Sequence, residues 1–344
     1  MLALKHLMPD SCSLWLKNHD TTRFAGASLA ETLYERPLTI TLSGELGTGK
    51  TTFLQGFASA LGIDQAVTSP TFALEQRYET NRHGELLHLD LYRLTESQAR
   101  ELVASSDHHH GIRCIEWPER LGKDVQGNSI RITLKEDGDG RRIGCNFEDM
   151  PLPSPAQILE WRKDVRMPDH IARHCDAVAF VCDRLSKRLL AEGKILRPAA
   201  LYAAAKVHDL LRFVDFRDGA HPPGYEESSD DQHIWAHWME RFAGMKHEIA
   251  CAAFLRSERF AGVATIVETH GLALPPAARS TIEQKILYYA DKRVMNDRIV
   301  SIEERFADFV QRYGKGSQSD QLKAWQSDVR HVEAELFPDR EPQL

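Results

Sequence analysis

Residues 43–52 read SGELGTGKTT, and no other stretch limits the possible folds of the chain so tightly. Gly44, Gly49, Lys50 and Thr51 fit the spacing G-x-x-x-x-G-K-[ST], which works only between a strand and a helix. Both neighbours have the required pattern. Leu38, Ile40 and Leu42 alternate as in a strand, and TTFLQGFASALG reads as a helix closed by Gly62. In that setting the backbone N–H groups of Gly44, Glu45, Leu46, Gly47, Thr48, Gly49, Lys50, Thr51 and Thr52 turn onto a phosphate. Lys50 then neutralises the β/γ oxygens, and Thr51 offers its hydroxyl to Mg²⁺.

Such a cradle also needs carboxylates to hold the metal and orient water. Two stand at the C-terminal ends of apolar runs, Asp90 in LLHLDLYRL and Glu116 in IRCIEWPER. Strand ends are where ligands sit in open α/β sheets. ELLHLD and IRCIE read as buried strands, and SIRITLKEDGDGRRIGCNF as a hairpin around an Asp-Gly turn.

A phosphate cradle accounts for less than half of 344 residues, and that length favours two domains. MPLPSPA (150–156) has proline at alternate positions, so residues 150–165 read as an extended linker. Strands alternate with helices before it. Beyond it, helical stripes run over 171–190, 199–213, 247–256 and 282–311. A last helix aligns Leu322, Trp325, Val329, Val332 and Leu336. The expected division is an α/β P-loop domain at 1–149, the linker, an all-α bundle at 166–315 and a helical tail at 316–344.

The net charge of −7 gives neither half the basic excess that non-specific nucleic-acid binding needs, so any RNA would be held by a partner. No apolar run is long enough for a membrane span, and the N-terminus lacks a signal-peptide core, so a cytoplasmic protein is expected. Six scattered cysteines with no CxxC pair read as reduced, buried thiols.

GELGTGKTT, TSPTF (68–72), HLDLYRL (88–94) and IEWPERL (115–121) occur in this order and at these spacings in the TsaE family. Residues 10–148 resemble a whole member of it. The resemblance implies an ATPase of bacterial tRNA threonylcarbamoyladenosine synthesis that acts with the proteins TsaB and TsaD. It assigns phosphate binding to 44–52, a nucleotide-sensing loop to 68–72, and Mg²⁺ or water positioning to Asp90 and Glu116, with Trp117 beside the latter. The chain departs from the family at TESQARELVASSDHHHGIRC, which reads as shortened or re-routed, with His108–His110 solvated.

The second half carries polar residues where its helices should be buried. His174 lies in the stripe of Ile171, Val178, Cys182, Leu185 and Leu189. His208 shares a face with Leu201, Ala204 and Leu211, and Asp209 follows it. His247 heads Ala250, Cys251 and Phe254, and Asp291 lies between Leu287 and Val294. His270 follows at a helix end. Burying these groups singly costs several kcal/mol, on the order expected for unpaired polar groups. Either they satisfy one another, or one or two divalent cations (Fe, Mn, Zn or Co) satisfy them together. His221, His233 and His237 read as loop residues. Lys292 and Arg293 read equally as substrate-phosphate contacts or as a solvated basic turn.

The order H…HD…H…H…D over residues 166–312 resembles the HD-domain phosphohydrolases. The resemblance implies that Asp209 bridges two ions, that His174, His208, His247, His270 and Asp291 are terminal ligands, and that the substrate is a nucleotide. The expectation is a fusion of ATPase and phosphohydrolase. Two alternatives stay open: a helical half that only docks partners, or a P-loop half that only regulates the hydrolase.

Overall fold

The computed structural model describes residues 10–34, 36–216, 225–313, 319–338 and 342. These fall into two compact units, one of Pro9–Pro151 with Ser186–Pro198, the other of Leu152–Leu185 with Ala199–Leu344.

The first unit is a seven-stranded mixed sheet. Its strands are β1 (Asp10–Leu16), β2 (Leu38–Ser43), β3 (Glu75–Glu79), β4 (Glu85–Asp90), β5 (Ile112–Glu116), β6 (Ser129–Asp137) and β7 (Gly140–Phe147), in the order β1-β7-β6-β2-β5-β4-β3. The four central strands β6, β2, β5 and β4 are parallel, and the outer ones are antiparallel. β2 is buried on both faces, including Thr39 and Thr41, as expected for a central parallel strand covered on both sides. Phe53, Leu54 and Phe57 of α2 (Lys50–Ala60) and Ala25 and Leu29 of α1 (His19–Leu29) share one core with Leu38, Ile40 and Leu42. Gly56 makes the helix pair possible: a Cβ there would stand 1.9 Å from Arg23 O. A smaller core joins Leu87, Leu89 and Ile115 to Ala99 of α3 (Glu96–Ser105). That helix occupies the segment read as re-routed, and a capping box of Thr95 and Gln98 starts it.

The expected boundary at residue 149 omits part of this unit. Ile195 N donates to Ser28 Oγ at 2.8 Å. Arg197, fully buried, makes a bidentate ion pair with Asp149 at 2.7 Å to each oxygen and donates to Thr32 O at 3.1 Å. A guanidinium on a distant segment gives no periodic signal, so its destination was not readable.

The second unit is mostly helical: α4 (Pro155–Asp164), α5 (Asp169–Ala191, of which the residues from Ser186 on count with the first unit), α6 (Pro198–Val207), α7 (Ser229–Arg241), α8 (His247–Ser257), α9 (Ala261–Val267), α10 (Ile282–Lys292), α11 (Ile302–Tyr313) and α12 (Asp320–Leu336). Three sequence expectations are corrected here. Pro155 does not extend a linker; it opens α4 behind the Ser154 cap, in a position where proline's missing N–H costs nothing. The stripe at 282–311 is two helices, parted by the short strands β8 (Val294–Met295) and β9 (Arg298–Ile299) with Asn296 left-handed between them. His233 and His237 belong to α7, which a capping box of Ser228 and Asp231 starts; His221 lies outside the described residues. The tail helix α12 buries Leu322, Val329, Val332 and Leu336, and Glu335 pairs with Lys285 of α10 at 2.9 Å. No described helix is long and apolar enough to cross a membrane. All six cysteines are free and buried.

Candidate functional sites

The P-loop leaves the end of β2 and enters α2. Gly44, Gly47 and Gly49 all have positive φ. At Gly44 (φ +146) a Cβ would lie 2.4 Å from Leu134 O, so only glycine lets the loop leave the sheet there. Glu45, Leu46 and Gly47 form the exposed crest, Thr48 is buried beneath it, and Thr51 and Thr52 are half-buried on α2. Lys50 folds back under the crest, donating to Gly44 O at 2.7 Å and Glu45 O at 2.9 Å. Its Nζ lies 3.9 Å from the centre of the Trp117 ring. Burial pulls the Lys50 ammonium below its ordinary value, against Glu116, Glu119, Asp90 and Glu45, which hold it up. Arg141 on β7 donates to Thr48 O at 3.0 Å and braces the loop.

Asp90 and Glu116 stand side by side, directly paired at the ends of β4 and β5, but they do different things. Asp90 accepts from Ser69 Oγ, from Thr71 Oγ1 at 2.7 Å and from Tyr92 N at 2.9 Å, so it ties the 68–72 loop to the strand end. Glu116 is the carboxylate that reaches the P-loop: its Oε1 lies 3.4 Å from Thr51 Oγ1 and 3.0 Å from His88 Nε2. A hydroxyl and a carboxylate converging beside a P-loop lysine are the donor set that Mg²⁺ takes in such sites, so the residues present fit that ion. Trp117, left-handed at φ +61, turns the chain so that its ring covers Lys50 and meets Tyr92 at 4.8 Å. Phe72 and Leu46 are exposed apolar side chains at 85% and 73%, and the Arg93 guanidinium lies over the Phe72 ring at 4.2 Å. In the triple histidine, His109 is bonded to Glu85 O and Ile112 O at 3.1 and 3.2 Å, whereas His108 and His110 are exposed.

In the helical unit the six polar residues singled out from the sequence come together. His174 Nε2 lies 3.0 Å from Asp291 Oδ1, and His208 Nε2 lies 3.8 and 3.9 Å from Asp209 and Asp291. His247 Nε2 is 3.1 Å from Asp209 Oδ1, and His270 Nε2 is 3.5 Å from the same oxygen and 3.2 Å from His247 Nε2. Two compact groups result, His174–His208–Asp209 and Asp209–His247–His270, with Asp209 common to both.

Main-chain carbonyls orient three of the rings. His174, His208 and His270 place Nδ1 at 2.8, 2.8 and 2.6 Å from Asn296 O, Ala205 O and Val267 O. A carbonyl only accepts, so Nδ1 carries a proton in each ring and Nε2 is the nitrogen turned to the interior. This is how proteins hold imidazoles for metal ligation. His208 Nε2 is buried without a hydrogen-bond partner. Burial pulls that imidazole down, but Cys175, Asp209 and Asp291 prevail and push it up to about 9. Burial raises Asp209 and Asp291, yet their cationic neighbours hold both carboxyls well below the usual range: for Asp209 His208 and His247, and for Asp291 Lys292, His174 and His208. A buried inward Nε2 without a hydrogen-bond partner, set among carboxylates, fits a divalent cation better than it fits an apolar core.

Lys292 and Arg293 are not open to a substrate. Lys292 is buried on Asp291 and His270 O, and Arg293 on Tyr289 and Val300 O. Sequence reasoning missed Asp215, whose Oδ2 stands 2.5 Å from His247 Nδ1, and also Glu248 and Arg212 beside the same ring. It also missed His88, which sits in a run of leucines. A search for polar residues on apolar strand faces would have found that one.

The family described as "Threonylcarbamoyl adenosine biosynthesis protein TsaE" matches residues 16–143. Three proteins named tRNA threonylcarbamoyladenosine biosynthesis protein TsaE are similar to this chain. The Nostoc one is 38% identical over 40% of this chain and 90% of its own length. The Treponema pallidum one is 35% identical over 36% of this chain and 90% of its own. The Bacillus subtilis one is 35% identical over 30% of this chain and 65% of its own. A crystal structure of Bacillus subtilis YdiB aligns with 41% of this chain and 87% of its own at 27% identity, with a TM-score of 0.34.

Proposed function

The chain belongs to the TsaE family through its α/β unit, and from that premise we propose that this unit binds and hydrolyses ATP with Mg²⁺ in tRNA threonylcarbamoyladenosine synthesis. TsaB and TsaD are its proposed partners, and tRNA is reached through them. The observation that carries the reading is the convergence of Lys50, Thr51 and Glu116 at one end of the parallel strands. Mg²⁺ would be held by Thr51 and Glu116, and when bound it neutralises phosphate charge. Lys50 meets the β/γ oxygens, the 44–52 backbone orients them, and Asp90 ties the 68–72 loop against the strand end. The test is complementation of a bacterium depleted of its own TsaE. The wild-type chain restores the modified nucleoside and Lys50→Ala does not. Failure of the wild type to rescue would contradict a tRNA role and favour a regulatory P-loop.

For the helical unit we propose an HD-type phosphohydrolase acting on a nucleotide, carried by the two histidine–carboxylate groups that share Asp209. His174, His208, Asp209 and Asp291 would hold one divalent cation, and Asp209, His247 and His270 a second. Fe, Mn, Zn or Co suits such donors. When bound, the ions polarise a phosphoryl oxygen and supply a nucleophile at neutral pH. The protein's part is to turn Nε2 atoms inward on fixed rings, which the carbonyls behind Nδ1 do. Elemental analysis of protein purified without chelator tests this, with one to two ions per chain expected. A metal-free protein that takes up none on dialysis against each ion would leave a docking module as the better reading.

A further inference from the structure

His88 lies in β4 among Leu86, Leu87 and Leu89, and it is fully buried. Burial strips an imidazole of water, so a fourth leucine would suit the surroundings at lower cost. The ring recovers one bond, from Nε2 to Glu116 Oε1 at 3.0 Å. An ionised carboxylate only accepts, so Nε2 carries the proton and donates. Nδ1 is buried with no hydrogen-bond partner. Half of the polar capacity of the ring is therefore idle, and whatever His88 contributes passes through Nε2.

The accepting atom is the significant one. Glu116 Oε1 is the same oxygen that lies 3.4 Å from Thr51 Oγ1, on the first turn after the P-loop. β4 and β5 run parallel with Asp90 opposite Glu116, so His88 sits two residues behind that pair. From there the ring supports the carboxylate from the core side while the P-loop faces it from the other. Side chains behind a metal-binding carboxylate fix its direction, and losing them weakens ion binding and turnover even though they touch neither.

We infer that His88 is a positioning residue that acts through Glu116: its Nε2–H holds Oε1 beside Thr51, so that the carboxylate meets the Mg²⁺–phosphate group from one fixed direction. This rests on the ATPase reading of the α/β unit. His88 itself contacts no nucleotide, and its bond to Glu116 is its whole contribution.

The test compares the full-length wild type with Lys50→Ala, His88→Leu and His88→Gln. Glutamine brings an Nε2–H donor to a similar reach; leucine brings none. Calorimetry measures ADP binding without metal and Mg²⁺ binding to the ADP-bound protein, and ATP turnover is followed against Mg²⁺ concentration. His88→Leu is expected to keep metal-free ADP binding, to weaken Mg²⁺ binding, and to lower kcat by about 10–100-fold. His88→Gln is expected to recover most of both. A wild type with no turnover that depends on Lys50 overturns the ATPase reading, and this inference with it. Lys50-dependent turnover that His88→Leu leaves intact overturns the inference alone. So does a loss that glutamine shares in full while its thermal unfolding matches the wild type.

Discussion

The two polar sites of this protein are built in opposite ways. The P-loop site draws most of its groups from ten consecutive residues and adds Glu116 and Asp90 from adjacent strand ends. Its work is done largely by backbone N–H groups, which every residue has, so the sequence must specify only where glycine, lysine and threonine fall. The histidine–carboxylate site draws six side chains from residues 174 to 291, on or beside five helices, and uses its backbone only as carbonyls behind the rings. A loop can be specified locally. A cluster of scattered side chains exists only if every helix is in phase.

The largest expected effect tests that dependence. Asp209→Ala removes the one residue common to both groups, so nearly all tightly held metal should be lost, as elemental analysis after gel filtration will read. Nucleotide binding at the P-loop should not change. Retention of a full metal complement would break the comparison, because the cluster would then not hinge on its shared member.

The second tests whether the α/β unit is as local as its active loop. Arg197→Ala leaves Asp149 buried and unpaired, and breaking such a pair costs about 3–5 kcal/mol. Urea unfolding followed by a probe in the sheet should show that loss. If stability is unchanged, Ser186–Pro198 is an accessory rather than part of that unit.

Next comes Lys50→Ala, which should weaken ATP binding by on the order of a hundredfold, corresponding to a charge-assisted contact of about 3 kcal/mol. Metal content in the helical unit should be untouched. A smaller effect bears on the boundary region: Ser154→Ala should cost about 1 kcal/mol if the serine caps α4, and nothing if 150–165 is an extended tether.

The smallest concerns pH. Burial raises the Asp176 carboxyl, but Lys206 and Arg162 outweigh it and hold it below its ordinary value. Its folded pKa lies below the unfolded one. Its stabilisation is therefore complete above the unfolded value of about 3.9 and is lost as pH falls through the folded value. The carboxylate is half exposed, so solvent screening limits the effect to under about 1 kcal/mol. Asp176→Asn should be less stable than the wild type at neutral pH, and the gap should close in acid.

How much the sequence disclosed follows the same contrast. Leu38, Ile40 and Leu42, the glycines and Lys50 marked strand, loop and helix because each signal lies within a few residues. The buried histidines were readable through helical phase, since a polar residue on an apolar stripe stands out at period 3.6. Asp215 was not, because it ends a short 3₁₀ turn (Arg212–Asp215) that has no stripe to violate. Pro155 misled because proline serves equally in an extended run and at the first position of a helix; Ser154 before it was the deciding cue. Arg197 illustrates a different limit, in that one buried pair joins residues 48 apart and periodicity carries no trace of it. Asp90 and Glu116 looked equivalent in sequence. They differ through what surrounds them, the 68–72 loop and Tyr92 N at Asp90, and His88 and Thr51 at Glu116.

We propose, for the chain as a whole, that it carries two separate phosphate chemistries, and this proposal is open to direct test. The measurement is phosphate release from a panel of nucleotides with Mg²⁺, Mn²⁺ and Fe²⁺ supplied, for the wild type, Lys50→Ala and Asp209→Ala in parallel. Slow ATP turnover should disappear only with Lys50→Ala, and hydrolysis of a second nucleotide only with Asp209→Ala. One activity lost in both variants, or a panel on which Asp209→Ala changes nothing, would contradict it.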